Sequence, residues 1–216
     1  IGRSLAGNLN GRWNEHLKTN YAIDSALEIE FETHYLKFLM PTIRGSSVGS
    51  KKRYAGLVQS DEGEVLVFKG LESVRTDWTK LAKRFQAELF KRIFADQPFE
   101  EYIADVTAAV LKGDCDVDLV YRKRLRRQLH EYTKTAPPHV KAARKMPEGL
   151  AQRGDWIEYI ITLHGPEPVG EQVSAIDYQH YVDKQLAPVA DSIIHFKGTS
   201  FDHIINKQLG LFTRLE

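Results

Sequence analysis

Apolar residues recur every fourth position at the start of the chain, at Ile1, Leu5, Leu9, Trp13 and Leu17. That spacing predicts a helix over 1–19 with one apolar face. The pattern then alternates: Leu27, Ile29 and Phe31 point one way and Glu28, Glu30 and Glu32 the other, as in a half-buried strand. An apolar run from Tyr35 to Met40 stops at Pro41, and Gly45, Ser46, Ser47, Gly49 and Ser50 read as a loop. Strands are predicted at 52–58 and 64–69, joined by a turn at Asp61-Glu62-Gly63. From Asp77 the period becomes helical. Trp78, Leu81, Ala82, Phe85, Leu89 and Ile93 form a stripe, with Lys80, Lys83, Arg84, Lys91 and Arg92 off it. A second helix starts at Pro98 and ends at Gly113. A short strand is expected at 117–121, a helix at 138–146 and a strand at 155–164, where Ile157, Tyr159, Ile161 and Leu163 alternate. A long helix over 177–196 has Asp177 as N-cap and a kink at Pro188. A last helix runs from Ser200 to about Leu209, before Gly210. The pattern gives an α+β fold: a helix on a small antiparallel sheet, then a mostly α-helical part with a short β element. The boundary lies near residue 77, and no internal repeat is visible.

Composition changes this picture mainly through charge. The 216 residues are 42% hydrophobic and 27% charged, with a net charge of +1, so no global cationic field exists. The charge is unevenly placed. Residues 121–145 hold nine Lys or Arg (Arg122, Lys123, Arg124, Arg126, Arg127, Lys134, Lys141, Arg144, Lys145) against Glu131, whereas residues 146–216 hold five basic and ten acidic residues. A basic middle suits an anionic polymer; the plain alternative is a solvated surface. The single cysteine, Cys115, excludes an intramolecular disulfide and a cysteine zinc site, and fits a reducing, cytoplasmic setting. No apolar run approaches the roughly 20 residues of a membrane span. The first residue is Ile1, so the chain reads as excised from something longer, and Leu215-Glu216 as a possible cloning remnant.

Several chemical motifs fail on context. Gly45-Ser46-Ser47-Val48-Gly49 matches a hydrolase elbow, but a predicted strand follows Ser47 where that chemistry needs a helix. Asp114, Asp116 and Asp118 alternate like calcium ligands, yet the positions wanting Gly and Glu hold Leu119 and Leu125. Eight histidines show no His-x-x-x-His spacing. Glu28, Glu30 and Glu32 form either a wet sheet face or a site beside a cation. Lys51-Lys52-Arg53-Tyr54 and the Lys69-led segment after it put two basic clusters, the first with an aromatic ring among its cations, on neighbouring elements. They protect a sheet edge or face a nucleic-acid backbone.

The ordered set of these segments resembles family B DNA polymerases. Lys51-Lys52-Arg53-Tyr54 is similar to the family's Lys-Lys-x-Tyr segment, and Lys69-Gly70-Leu71-Glu72-Ser73-Val74-Arg75-Thr76-Asp77 to its Lys-Gly-x-Glu-x-x-Arg-x-Asp segment. Tyr121-Arg122-Lys123-Arg124-Leu125, Pro138-His139-Val140-Lys141-Ala142-Ala143, Gly154-Asp155-Trp156-Ile157-Glu158-Tyr159 and Ile176-Asp177-Tyr178-Gln179-His180-Tyr181 with Gln185 to Pro188 follow in thumb order. Residues 38–45 and Gln208-Leu209-Gly210-Leu211-Phe212 resemble the bacterial branch.

The resemblance implies the end of a palm at 1–76, a thumb at 77–207, a clamp-binding tail at 208–212 and a terminal remnant at 213–216. By carry-over, Lys52 and Tyr54 hold a primer terminus, and Lys51, Arg53 and Lys69 contact duplex near it. Arg75 pairs with Asp77 and lies near DNA. Arg122, Lys123, Arg124, Arg126, His139 and Lys141 grip phosphates. Glu30 and Glu32 stand near a metal site. Gln208, Leu209, Leu211 and Phe212 anchor in a sliding clamp, or else end a helix at Gly210. The family's catalytic aspartate motifs are absent from this sequence, so no catalytic residue or resident metal is expected in it, and the parent enzyme would supply Mg²⁺ chemistry. Expected partners are primer-template DNA, a sliding clamp and the parent's other domains, with no membrane, in a bacterial nucleoid setting. The competing class is a stand-alone nucleic-acid- or clamp-binding module.

Overall fold

The computed structural model describes the backbone of residues 1–42 and 49–212, with side chains up to residue 207. Helix α1 (Gly2–Tyr21) forms where the four-residue repeat predicts it, yet it buries no residue. The strand expected over Leu27, Ile29 and Phe31 does not form; residues 22–35 carry no regular structure. The reason is local. Asn10 donates to the Ile29 carbonyl at 2.9 Å and accepts from the Ile29 amide at 2.8 Å. Asn14 accepts from the Ser25 amide at 3.2 Å. Side-chain amides of α1 thus serve backbone groups that a neighbouring strand would otherwise pair.

The first sheet has the order β1 (Lys37–Leu39), β2 (Tyr54–Ser60), β3 (Gly63–Lys69), all antiparallel. Its hairpin closes at the expected turn, with Ser60 opposite Gly63 and Tyr54 opposite Lys69. This sheet docks on the helical body through Phe68, whose ring lies 5.7 Å from that of Phe90 on α2 (Lys80–Phe94). Helix α2 begins three residues later than the periodicity alone indicates, because Thr79 takes the N-cap and accepts from the Ala82 amide. Its buried face includes Leu81, Ala82, Phe85, Leu89 and Ile93, the stripe read from sequence, and adds Gln86, Phe90 and Phe94.

Helix α3 (Glu100–Lys112) ends at Gly113 in the left-handed conformation. Val117 and Asp118, at the start of the expected strand, belong to a 3₁₀ turn (Asp116–Asp118), and the strand is displaced to β4 (Tyr121–Arg124). Together with β5 (Trp156–Thr162) and β6 (Gly165–Pro168) it makes a second antiparallel sheet, order β4-β5-β6. Helix α4 (Pro138–Ala143) packs on it. The predicted long helix is three pieces: α5 (Tyr178–Tyr181), a π turn at Val182–Leu186 and α6 (Ala187–Ile194). Pro188 has no amide to donate to the preceding turn, and the chain answers with a widened turn rather than a break. Helix α7 (Phe201–Phe212) runs through Gly210 instead of stopping before it. The core is formed by α2, α3, α4, α6 and α7 with the buried side of β5, and the half-buried Tyr121 of β4 packs against it.

Candidate nucleic-acid interface

Two cationic regions emerge, and they are built differently. In the first, the two motifs led by lysine meet in space. Tyr54 and Lys69 are cross-strand partners. Gly70 has φ +63°, and a Cβ there would lie 2.4 Å from the Lys52 carbonyl oxygen. Only glycine permits that approach, which presses the loop carrying Lys51 and Lys52 against the end of β3. Arg53 turns inward to the carboxylate of Glu72, a buried acid in the 3₁₀ turn Glu72–Val74. Gln86 of α2 donates to the other oxygen of Glu72 at 2.7 Å and accepts from the Ser73 amide at 2.8 Å. Lys51, Lys52 and Lys69 remain exposed. Arg53 therefore anchors the loop, in contrast to the DNA contact expected from sequence. Tyr54 packs in a cluster with Tyr35 and Phe38, at ring distances of 5.9 and 5.1 Å. The hydrogen bond with Tyr54 raises the Tyr35 phenol above its ordinary pKa.

The second region is an open cleft of about 440 Å³ lined by Val74, Arg75, Thr76, Asp77, Arg122, Lys123, Arg124, Arg126 and Trp156. Five of the expected DNA-contacting cations meet here. Arg75 grips Asp77 with two hydrogen bonds of 3.0 and 2.9 Å. These hold the Asp77 carboxyl below the ordinary aspartate value despite its partial burial, with Lys123 at 3.9 Å adding to the effect. Arg122 pairs loosely with Glu158 at 3.6 Å and lies over the Trp156 ring at 4.7 Å. Arg124 donates through Nε to the Gly154 carbonyl at 2.7 Å, which fixes its stem and leaves the outer nitrogens free for other partners. Behind the strand, Tyr121, Tyr159 and Tyr181 stack at 5.2 and 5.7 Å. Burial pushes the Tyr159 phenol up to about 12 and Tyr121 and Tyr181 upward as well, so the scaffold stays neutral near pH 7.

Other expected site residues lie apart. His139 is 5% exposed and packs edge-on against Tyr132 at 6.4 Å. Burial lowers its pKa, and a buried, neutral imidazole is at variance with a phosphate grip. Lys141 is exposed on α4. Glu30 and Glu32 are exposed in the segment after α1. Among the described residues no group of three or more His, Cys, Asp or Glu could hold a metal. Ser47, with residues 43–48, lies outside the described residues, as do the side chains of Gln208, Leu209, Leu211 and Phe212.

A sequence model described as DNA polymerase family B matches residues 8–201. The chain belongs to DNA polymerase family B. It is 49% identical over 220 residues to DNA polymerase II of Escherichia coli (strain K12), covering 98% of this chain and 28% of that protein. It is 30% identical over 198 residues to a DNA polymerase of Methanocaldococcus jannaschii, covering 84% of this chain and 11% of the relative. The fold is similar to that of the family B DNA polymerase of Pyrobaculum calidifontis, with a TM-score of 0.57 and 24% identity, over 85% of this chain and 24% of that one. This family B chain thus spans little more than a quarter of the curated relative it matches at 49% identity. Among the described residues no helix is long and apolar enough to cross a membrane.

Three participants were not assigned from sequence. Glu72 holds Arg53 and is itself held by Gln86, and the Glu72 contact joins positions nineteen apart that no local pattern links. Arg153 lines a second cavity beside Trp156. Its signal was present, since the Arg153-Gly154 pair precedes a strand that must pair with the basic one.

Proposed function

We propose that this chain is the primer-template grip of a family B DNA polymerase, with the end of a palm at 1–76 and a thumb at 77–207. The observation that carries the reading is the convergence of Arg75, Arg122, Lys123, Arg124 and Arg126 on one open cleft. The Lys51-Lys52 loop, held by Gly70 and Glu72, offers a second set of exposed cations. Lys52 and Tyr54 would hold the primer end, and Lys51 and Lys69 would contact duplex near it, where minor-groove contacts sense pair geometry more than sequence. Backbone contacts of this kind are indifferent to sequence and sensitive to salt. Catalytic carboxylates and Mg²⁺ belong, in this reading, to residues beyond the present sequence, so the chain alone adds no nucleotide. Gln208 to Phe212 would serve a sliding clamp.

The test is a salt titration of the 216-residue chain binding a fluorescent primer-template, followed by anisotropy. Binding should weaken steeply between about 50 and 200 mM salt. Absence of binding at the lowest salt would overturn the reading.

A further inference from the structure

Trp156 begins a strand whose next residues on the inner side, Ile157 and Tyr159, are buried, yet it is 45% exposed. The Arg122 guanidinium lies over the ring at 4.7 Å and lines the first cavity. A second cavity of about 510 Å³ is lined by Trp156 with Arg124, Leu125, Arg126, Arg153 and Gly154, and Arg122 is not part of it.

We propose that Trp156 and this second cavity form a site for single-stranded nucleic acid. An unpaired base stacks on the indole, and the flanking phosphates lie on Arg124, Arg126 and Arg153. The site adjoins the duplex grip, shares Arg124, Arg126 and Trp156 with it, and rests on the nucleic-acid reading of the cleft.

Three observations support it. The cavity falls within the size of small-ligand pockets, about 300–1,000 Å³, and no carboxylate lines it. Arg124, Arg126 and Arg153 have no carboxylate partner among the described residues, whereas Arg75 and Arg122 do. The positions are set in advance. Arg124 is tied to the Gly154 carbonyl at 2.7 Å, and the Arg126 amide donates to the Tyr132 hydroxyl at 3.2 Å. Gly154 itself has φ +101°, a conformation other residues resist, and Arg153 before it lines the cavity together with Trp156. A flat apolar face ringed by unneutralised guanidinium groups matches one ligand chemistry, a π-face joined to phosphates. Bases inside a duplex have both faces covered by neighbours, so the stacking partner must be unpaired.

The test uses anisotropy with a labelled single-stranded deoxythymidine oligonucleotide and a blunt duplex of equal length. The variants are Trp156→Ala and Trp156→Phe, each checked for native circular dichroism. Trp156→Ala should bind the single strand about tenfold more weakly, the loss expected for one stacked base. Duplex affinity should fall clearly less than single-strand affinity, since Trp156 lines the duplex cleft as well but stacks no base there. The salt slope on the single strand should also stay the same, because a neutral ring releases no counterions. Trp156→Phe should recover most of the affinity. Unimpaired single-strand binding by Trp156→Ala, or an equal loss on both ligands, overturns the site while leaving the duplex grip standing. Failure of the unmodified chain to bind either ligand overturns both.

Discussion

The two cationic regions contain similar residues and solve opposite problems. Around Lys51, one arginine is withdrawn to Glu72 so that its neighbours are fixed. Around Trp156, Arg124 on β4 and Arg126 just after it have no carboxylate partner among the described residues and are fixed through stem and backbone. The first region derives its shape from a charge pair; the second derives its charge from a shape. A basic residue in a motif is therefore not a contact by default, and the partner it faces decides which kind it is.

Removing the buried acid breaks the comparison most strongly. Glu72→Ala leaves the Arg53 guanidinium and the Gln86 amide without their acceptor. It should cost about 2 kcal/mol in urea unfolding, below the full value for a buried pair because Arg53 is partly exposed. Gly70→Ala attacks the same region through geometry. A left-handed alanine pressed on the Lys52 carbonyl should cost about 1–2 kcal/mol and weaken duplex binding at unchanged net charge. Arg126→Ala tests the other side. Stability should shift by less than about 0.5 kcal/mol, while the salt slope of DNA binding falls by about one.

The smallest effect is a pH dependence. Burial lowers the pKa of His139 and of His180, so the unfolded chain binds more protons than the folded one just below the ordinary histidine value. Stability should be full above about pH 6.5 and decline as pH falls through the window down to the lowered folded values. His139→Gln should flatten that decline in melting temperatures measured between about pH 5 and 7.

Much of the fold was legible because it rests on local rules. The hairpin at Asp61-Glu62-Gly63, the stripe of α2, the Gly113 stop and the Asp177 cap each follow from neighbours in sequence. The strand misread at Leu27 to Phe31 shows the limit. Alternation was real, but a strand also needs a partner, and Asn10 and Asn14 on α1 took the backbone groups instead. The cations of the cleft were readable as residue types, since five basic residues singled out from the sequence line it together. The inward turn of Arg53 and the burial of His139 were not, because both depend on what α2 and the second sheet bring to them.

The π turn at Val182–Leu186 has a consequence for insertions and deletions. One extra residue in a helix rotates everything after it by about 100° relative to everything before. Tyr181 reaches the Ile161 amide from one side of that step, and Val189 and Ile193 enter the core from the other. Losing a single residue from α5 or α6 would spin the two halves out of phase, whereas the π turn, which holds one residue more than an α turn, could release one by closing to an α turn.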